Sequence, residues 1–151
     1  MSWSARLAEL DISLPPVVAP VAAYAPAVRT GSHVYTAGQV PMVAGSLPAT
    51  GKVGAEVTAE QAQDLARTCA LNALAAVHDL VGIDAVVRVV KVVGFVASAE
   101  GFTGQPGVLN GASELLGEVF AEAGVHARSA VGVAELPMGA PVEVEMIVEV
   151  A

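Results

Sequence analysis

Val86-Val87-Arg88-Val89-Val90-Lys91-Val92-Val93-Gly94-Phe95-Val96-Ala97-Ser98 is too rich in β-branched residues for a surface helix, and it predicts one long strand. Side chains alternate between the two sides of a strand. Val86, Arg88, Val90, Val92, Gly94 and Val96 therefore share one side, and Val87, Val89, Lys91, Val93, Phe95 and Ala97 the other. Both sides are largely apolar, so this strand needs cover on two faces.

The flanking segments supply cover for only one. Upstream, Thr58-Ala59-Glu60-Gln61 has the Thr-x-x-Gln spacing of a capping box, in which hydroxyl and side-chain amide satisfy reciprocal backbone donors at a helix start. The helix is expected to run to about Val81, to bury Ala62, Leu65, Cys69, Ala73, Ala76, Val77 and Leu80, and to stop at Gly82. Downstream, a second helix starts near Pro106 and buries Val108, Ala112, Leu115, Leu116, Val119 and Phe120. Ala27 to Thr30 and His33 to Gln39 read as a hairpin around Gly31-Ser32, and two strands close the chain. The order predicts an α+β fold with both helices on one side of a sheet. An apolar face left in water marks an association surface, so a homo-oligomer is expected.

Composition excludes several classes. At 151 residues the chain is read as a single domain, 1–151, long enough for a substantial core. Hydrophobic residues at 54% rule out disorder, and a formal charge of -8 repels a phosphate backbone, so no nucleic-acid partner is expected. Aromatics at 4% are too few for a base-stacking platform. Met1 to Leu14 carries Arg6, Glu9 and Asp11 and lacks the apolar run of a secretory signal, which points to a cytoplasmic protein. Pro15, Pro16, Pro20 and Pro26 break the uncharged stretch from Ile12 to Val28, so no membrane helix is expected there and residues 1–20 are read as an extended arm. Cys69, the lone cysteine, falls in the buried helical stripe and reads as an inert thiol.

The chemistry is concentrated in the last quarter. Along His126-Ala127-Arg128-Ser129-Ala130-Val131-Gly132-Val133-Ala134, the strand period puts Arg128 in a row with Ala130, Gly132 and Ala134. A bidentate cation beside small neighbours suits a pocket for a small carboxylate. The same period places Glu143, Glu145 and Glu149 on one face of the next strand, within reach of Arg128 if the two strands pair. Blander readings exist for each: Arg128 as an ion-pair partner, Glu143, Glu145 and Glu149 as solvated strand side chains, and Asn110 as a wet helix residue beside Glu114 and Glu118. His33, His78 and His126 lack zinc-ligand spacing, and His126 is a candidate for the mouth of a cleft at Arg128. Gly51-Lys52-Val53-Gly54 lacks the full phosphate-loop pattern and reads as a turn.

Thr36-Ala37-Gly38-Gln39-Val40-Pro41, Asn110, Ala127-Arg128-Ser129, Leu136-Pro137 and Val142-Glu143-Val144-Glu145, in that order, resemble the RidA/YjgF family of enamine/imine deaminases from about Tyr24 to Val150. The resemblance implies a chorismate-mutase-like α+β fold and a homotrimer in which the sheets form a central barrel and ligand clefts lie between subunits. It implies hydrolysis of 2-imino or 2-enamino acids to 2-keto acids and ammonia, with no cofactor and no metal. By the same resemblance Arg128 grips the substrate carboxylate and Glu143 orients or deprotonates water. Tyr24, Gly38, Asn110 and Ala130 would complete the pocket.

There are departures. Many deaminases of the family carry cysteine at the position of Ala130 and serine at that of Ala37. Val21-Ala22-Ala23-Tyr24-Ala25-Pro26 lacks the usual glycine-proline lead, and Gly101 to Gly107 is rich in glycine, which together mark a divergent subgroup. A non-catalytic trimer that binds small carboxylates as a sensor or effector is the alternative. The ribonuclease label that travels with this family conflicts with the acidic charge.

Overall fold

The computed structural model describes residues 1–20 and 22–151; Val21, the first residue of the stretch leading to Tyr24, lies outside the described residues. β1 (Ala27–Thr30) and β2 (His33–Thr36) form the expected hairpin, with Gly31 at φ 57° in the turn. β2 ends at Thr36 rather than Gln39, although Gln39 still exchanges backbone hydrogen bonds with Val144 at 2.8 and 3.0 Å. α2 (Ala59–Val81) starts where its capping box predicts: Thr58 Oγ1 accepts from Gln61 N at 3.1 Å and Gln61 Oε1 accepts from Thr58 N at 2.9 Å. It stops at Gly82, φ 80°. β3 (Val86–Ala97), α3 (Gln105–Phe120) with Pro106 in its first turn, β4 (Ala127–Val133) and β5 (Val142–Val150) complete the order.

The described residues form a five-stranded sheet in the order β1-β2-β5-β3-β4. β4 and β5 do not pair. α3 is the crossover that brings β4 back parallel to β3, and β5 then returns antiparallel on the other side of β3, between it and β2. Strict alternation along β3 also fails near its start. Register shifts between Val86 and Arg88 and between Val89 and Lys91 put Val86, Val89 and Val92 together on the buried side, whereas uniform alternation separated Val89 from the other two.

Both helices lie on one side of the sheet. Val142, Val144, Met146, Val148 and Val150 of β5 face them, together with Val92 and Val96 of β3, and α2 and α3 pack on each other above. All the α3 residues expected in the core are buried; along α2 burial ends at Val77, and Leu80 is 45% exposed in the last turn. The opposite face carries Val28, Tyr35 and Val131, at 57%, 46% and 45% exposure, with Phe95 and Ile147 half-buried between them.

The amino terminus departs from the extended reading. Trp3–Glu9 is a helix, α1, while the chain from Ile12 to Pro20 has no regular structure. Asp84 accepts from Ser4 N at 2.8 Å and Ser4 Oγ at 2.6 Å, and these bonds hold its carboxyl below the usual carboxylate range. Trp3 donates to the Val86 carbonyl at 2.7 Å and meets Phe120 edge-on at 5.1 Å. These partners are distant in sequence; the local signals for the helix are the Ser2 cap, whose Oγ accepts from Ala5 N at 3.2 Å, and the Arg6–Glu9 pair.

Helices α2 and α3 come close together at Gly111, where an added Cβ would stand 1.9 Å from the Gln63 carbonyl oxygen. Gly117, on the same helix, has nothing within 4 Å of that position. Gly111→Ala is therefore expected to lower unfolding stability by about 1–3 kcal/mol, because backbone must move. Gly117→Ala should raise it by up to about 1 kcal/mol through helix propensity alone. Chemical denaturation of the two variants measures both; equal effects would mean that the helix contact relaxes freely.

Candidate functional site

Arg128 stands on β4 opposite Val92, a residue of the helix-bearing face, and its side chain runs to α3. Nη1 donates to Asn110 Oδ1 at 2.9 Å and to Ser113 Oγ at 3.1 Å, and Nη2 donates to the Pro106 carbonyl at 3.3 Å. All three acceptors come from α3. Behind Ser113 lies His126, with Nε2 at 2.9 Å from Ser113 Oγ and Nδ1 at 2.6 Å from the Gly124 carbonyl. A carbonyl only accepts, so Nδ1 carries the hydrogen; in the neutral ring Nε2 then accepts from the serine hydroxyl, whose lone pair is left for Arg128.

Among the described residues this guanidinium has no carboxylate partner. The ion pairs among them are Arg6 with Glu9, Lys52 with Glu135 at 3.3 Å and Arg67 with Glu118 at 3.2 Å. A cavity of about 350 Å³ opens in front of Arg128, lined also by Asn110, Ser113, Gly117, Gly124, Val125 and His126. It does not lie along the row of small residues. Gly132 sits against the Gln105 and Ser98 side chains, and Gly94, which pairs with Ala130 across the strands, against Leu109, so the small residues make room for Ser98 and for side chains of α3. Ala130 is half-buried against the core in the same row.

Glu143 belongs to the opposite face. It lies beside Phe95 on β3, and Val131 follows on β4. Gly38 is required here, because a Cβ at that position would come within 2.8 Å of the Glu143 carboxyl carbon. Burial raises the Glu143 carboxyl above its ordinary value, and the charge of Glu145 adds to the shift. Gly38 also lines, with Tyr24, Gln39, Met42 and Met138, a cavity of about 70 Å³ in which Tyr24 is 52% exposed.

The sequence-derived candidates thus divide into two groups. Arg128 and Asn110 are bonded to each other, with Ala130 beside them on the helix face; Glu143, Gly38 and Tyr24 gather on the other side. Within one chain Arg128 and Glu143 do not meet: β3 runs between their strands, and their side chains leave opposite faces. His126 does reach the Arg128 cavity.

Two contributors escaped the sequence reading. Ser113 lies among α3 residues whose pattern reports only burial. Asn72 is buried in α2 and donates to the Val40 and Met42 carbonyls at 3.2 and 3.1 Å, pinning the loop that follows Gly38. A polar residue one place from the Cys69–Ala73 stripe was its available signal. Cys69 itself is buried against the Val142 carbonyl, and burial drives its thiol pKa up, which keeps it unreactive. His78 Nδ1 accepts from Ile83 N at 3.0 Å, and among the described residues no three His, Cys, Asp or Glu side chains converge as a metal site. No helix among them is long and apolar enough to cross a membrane.

Comparison with known proteins places this geometry. Residues 16–150 match the model of the Endoribonuclease L-PSP family. Protein TCP17 of Trypanosoma cruzi is 45% identical over 97% of this chain and 92% of its own length. The crystal structure of Atu1372 from Agrobacterium tumefaciens, of unknown function, superposes with a TM-score of 0.90 at 42% identity, covering 99% of this chain and 92% of that one. Escherichia coli TdcF with bound serine superposes with a TM-score of 0.64 at 25% identity over 91% and 93% of the two chains. The α+β architecture agrees with these matches, and the chain belongs to the RidA/YjgF family, beside Atu1372 and TCP17 in a divergent subgroup.

Proposed function

We propose that this protein hydrolyses reactive 2-imino and 2-enamino acids to 2-keto acids and ammonia, in clefts between the subunits of a homotrimer. The observation that carries the reading is a guanidinium without a carboxylate partner among the described residues, held by neutral oxygens at the edge of an open cavity. An unneutralised, fixed cation on a mostly acidic protein calls for a small anion. TdcF, which shares the fold, was solved with serine bound, and serine carries the α-carboxylate and C2 nitrogen that such substrates present.

Arg128 and Glu143 lie on opposite faces of one sheet, so a site that uses both draws them from different copies. β4 is an edge strand and the face that bears Glu143 exposes Val28, Tyr35 and Val131, both of which favour such a seam. Arg128 of one subunit holds the substrate carboxylate. Glu143 of the next accepts a proton from water as its oxygen adds to C2 of the iminium; it returns that proton to the carbinolamine nitrogen, and ammonia leaves as the hydroxyl gives its own proton to Glu143 and becomes the ketone oxygen. A carboxyl shifted upward by burial is a stronger base than an ordinary glutamate, as this step requires. Gly38 and Tyr24 border the base; Asn110 and Ala130 border the cation. The proposed hydrolysis draws on neither cofactor nor metal.

Sedimentation at micromolar concentration is expected to give a trimer, and a monomer would overturn the seam. Imines made in place by an L-amino acid oxidase from a panel of amino acids should disappear faster with the protein present. Arg128→Ala is expected to lower kcat/KM about 10- to 100-fold, the loss of one charge-assisted pair of about 1.5–3 kcal/mol. Saturable 2-keto acid binding with no acceleration would instead establish the carboxylate sensor.

The Glu143 shift fixes the sign of the pH dependence. A base works when ionised, so kcat, which reports the substrate-bound enzyme, falls as pH drops through its raised value, and the acid limb lies above the pH at which an ordinary glutamate titrates. Glu143→Gln should remove that limb and reduce kcat about 10²- to 10⁴-fold. An unchanged limb in the glutamine variant would assign the base elsewhere.

A further inference from the structure

We infer that Ser113 and His126 are positioning residues of the carboxylate grip, fixing Arg128 so that Nε and one Nη2 hydrogen are left to take both oxygens of a planar carboxylate. The inference deepens the role proposed for Arg128 and rests on that reading. It starts from a count of donors. A guanidinium has five N–H groups. Asn110 and Ser113 take both on Nη1, Pro106 takes one on Nη2, and the Nε hydrogen and the second on Nη2 have no acceptor among the described residues. Those two sit on neighbouring nitrogens, the arrangement that meets a carboxylate with two parallel bonds.

The acceptors are built for this purpose rather than for neutralisation. Pro106, Asn110 and Ser113 recur at helical spacing along one stripe of α3, so the helix lays a row of uncharged oxygens under the guanidinium. Further along α3 an arginine is met differently: Arg67 of α2 is paired there with Glu118. Ser113 can serve Arg128 as a pure acceptor only while its own hydrogen is committed, and His126 commits it. The Gly124 carbonyl fixes the imidazole tautomer, Nε2 takes the serine hydrogen, and the serine lone pair meets Nη1. Removing His126 frees the hydroxyl to rotate, and removing Ser113 frees Nη1. Either change lets the fork swing out of register with its ligand while its charge is untouched.

Isothermal titration with 2-oxobutanoate reads this without turnover. Ser113→Ala and His126→Ala are each expected to weaken binding about five- to tenfold, the scale of one lost hydrogen bond. His126→Gln, whose Oε1 can stand where Nε2 accepts, should restore most of the loss, as should Ser113→Thr in place of Ser113→Ala, results that a general loosening of the fold would not give. Arg128→Lys keeps the charge and loses the fork, and should weaken binding at least tenfold. Arg128→Ala that binds poorly while Ser113→Ala and His126→Ala bind as wild type overturns the positioning role alone. Arg128→Ala that binds as wild type overturns the grip itself and this inference with it.

Discussion

The constraint that shapes this molecule is a sheet with helices on one side only. β3, apolar on both sides for most of its length, lies between β5 and β4, and α2 and α3 together cover only the face that carries Val92, Val144 and Val148. Burying that face accounts for the core. The other face, with Val28, Tyr35 and Val131 in water, is left unsolved by the single chain. Association is the ordinary physical remedy, because burying apolar area is worth roughly 25 cal/mol per Å² and no further segment of the described chain is available to cover it.

The same constraint separates the chemistry. A crossover through α3 makes β4 parallel to β3, and it carries Arg128 to the outer edge on the helix side. The last strand returns on the inner side of β3, where its alternation turns every second valine to the core and Glu143, Glu145 and Glu149 to the open face. One chain therefore holds a cation and an acid that cannot reach each other. In the proposed assembly the seam does two tasks with one surface: it covers the apolar face and it brings the complementary charges together.

Much of the fold was legible because it rests on local signals. The capping box at Thr58, the stop at Gly82, the first-turn Pro106 and the alternation of β5 each encode a boundary or a face within a few residues. Strand order is not encoded that way. Periodicity tells which side a residue faces and is silent on which strand lies beside it, so the sequence alone left the pairing of β4 with β5 open, and the structure puts β3 between them. The register shifts in β3 and the bonds that hold α1 to Asp84 were hidden for the same reason, since both depend on partners far along the chain. At the site, Arg128 and Asn110 could be singled out individually. The hydroxyl that joins Arg128 to His126 could not, because a serine in an amphipathic helix carries no periodic signature of its partner.

The electrostatics of the two halves explain why they would be kept apart until they meet across a seam. Glu143 has a raised pKa in the isolated chain because it is partly buried beside Glu145 with no cation near, and Arg128 has neutral neighbours only. Bringing a guanidinium close to a carboxyl favours its ionised form and pulls its pKa down, which would cost base strength. A bound substrate carboxylate cancels that pull. It occupies the free edge of Arg128, neutralises it, and leaves Glu143 with the proton affinity that burial gives it. The fixed cation and the shifted acid are then not redundant devices. In the proposed site, occupancy of the first would release the second to act as a base, so that water would be activated chiefly with a carboxylate-bearing substrate in place.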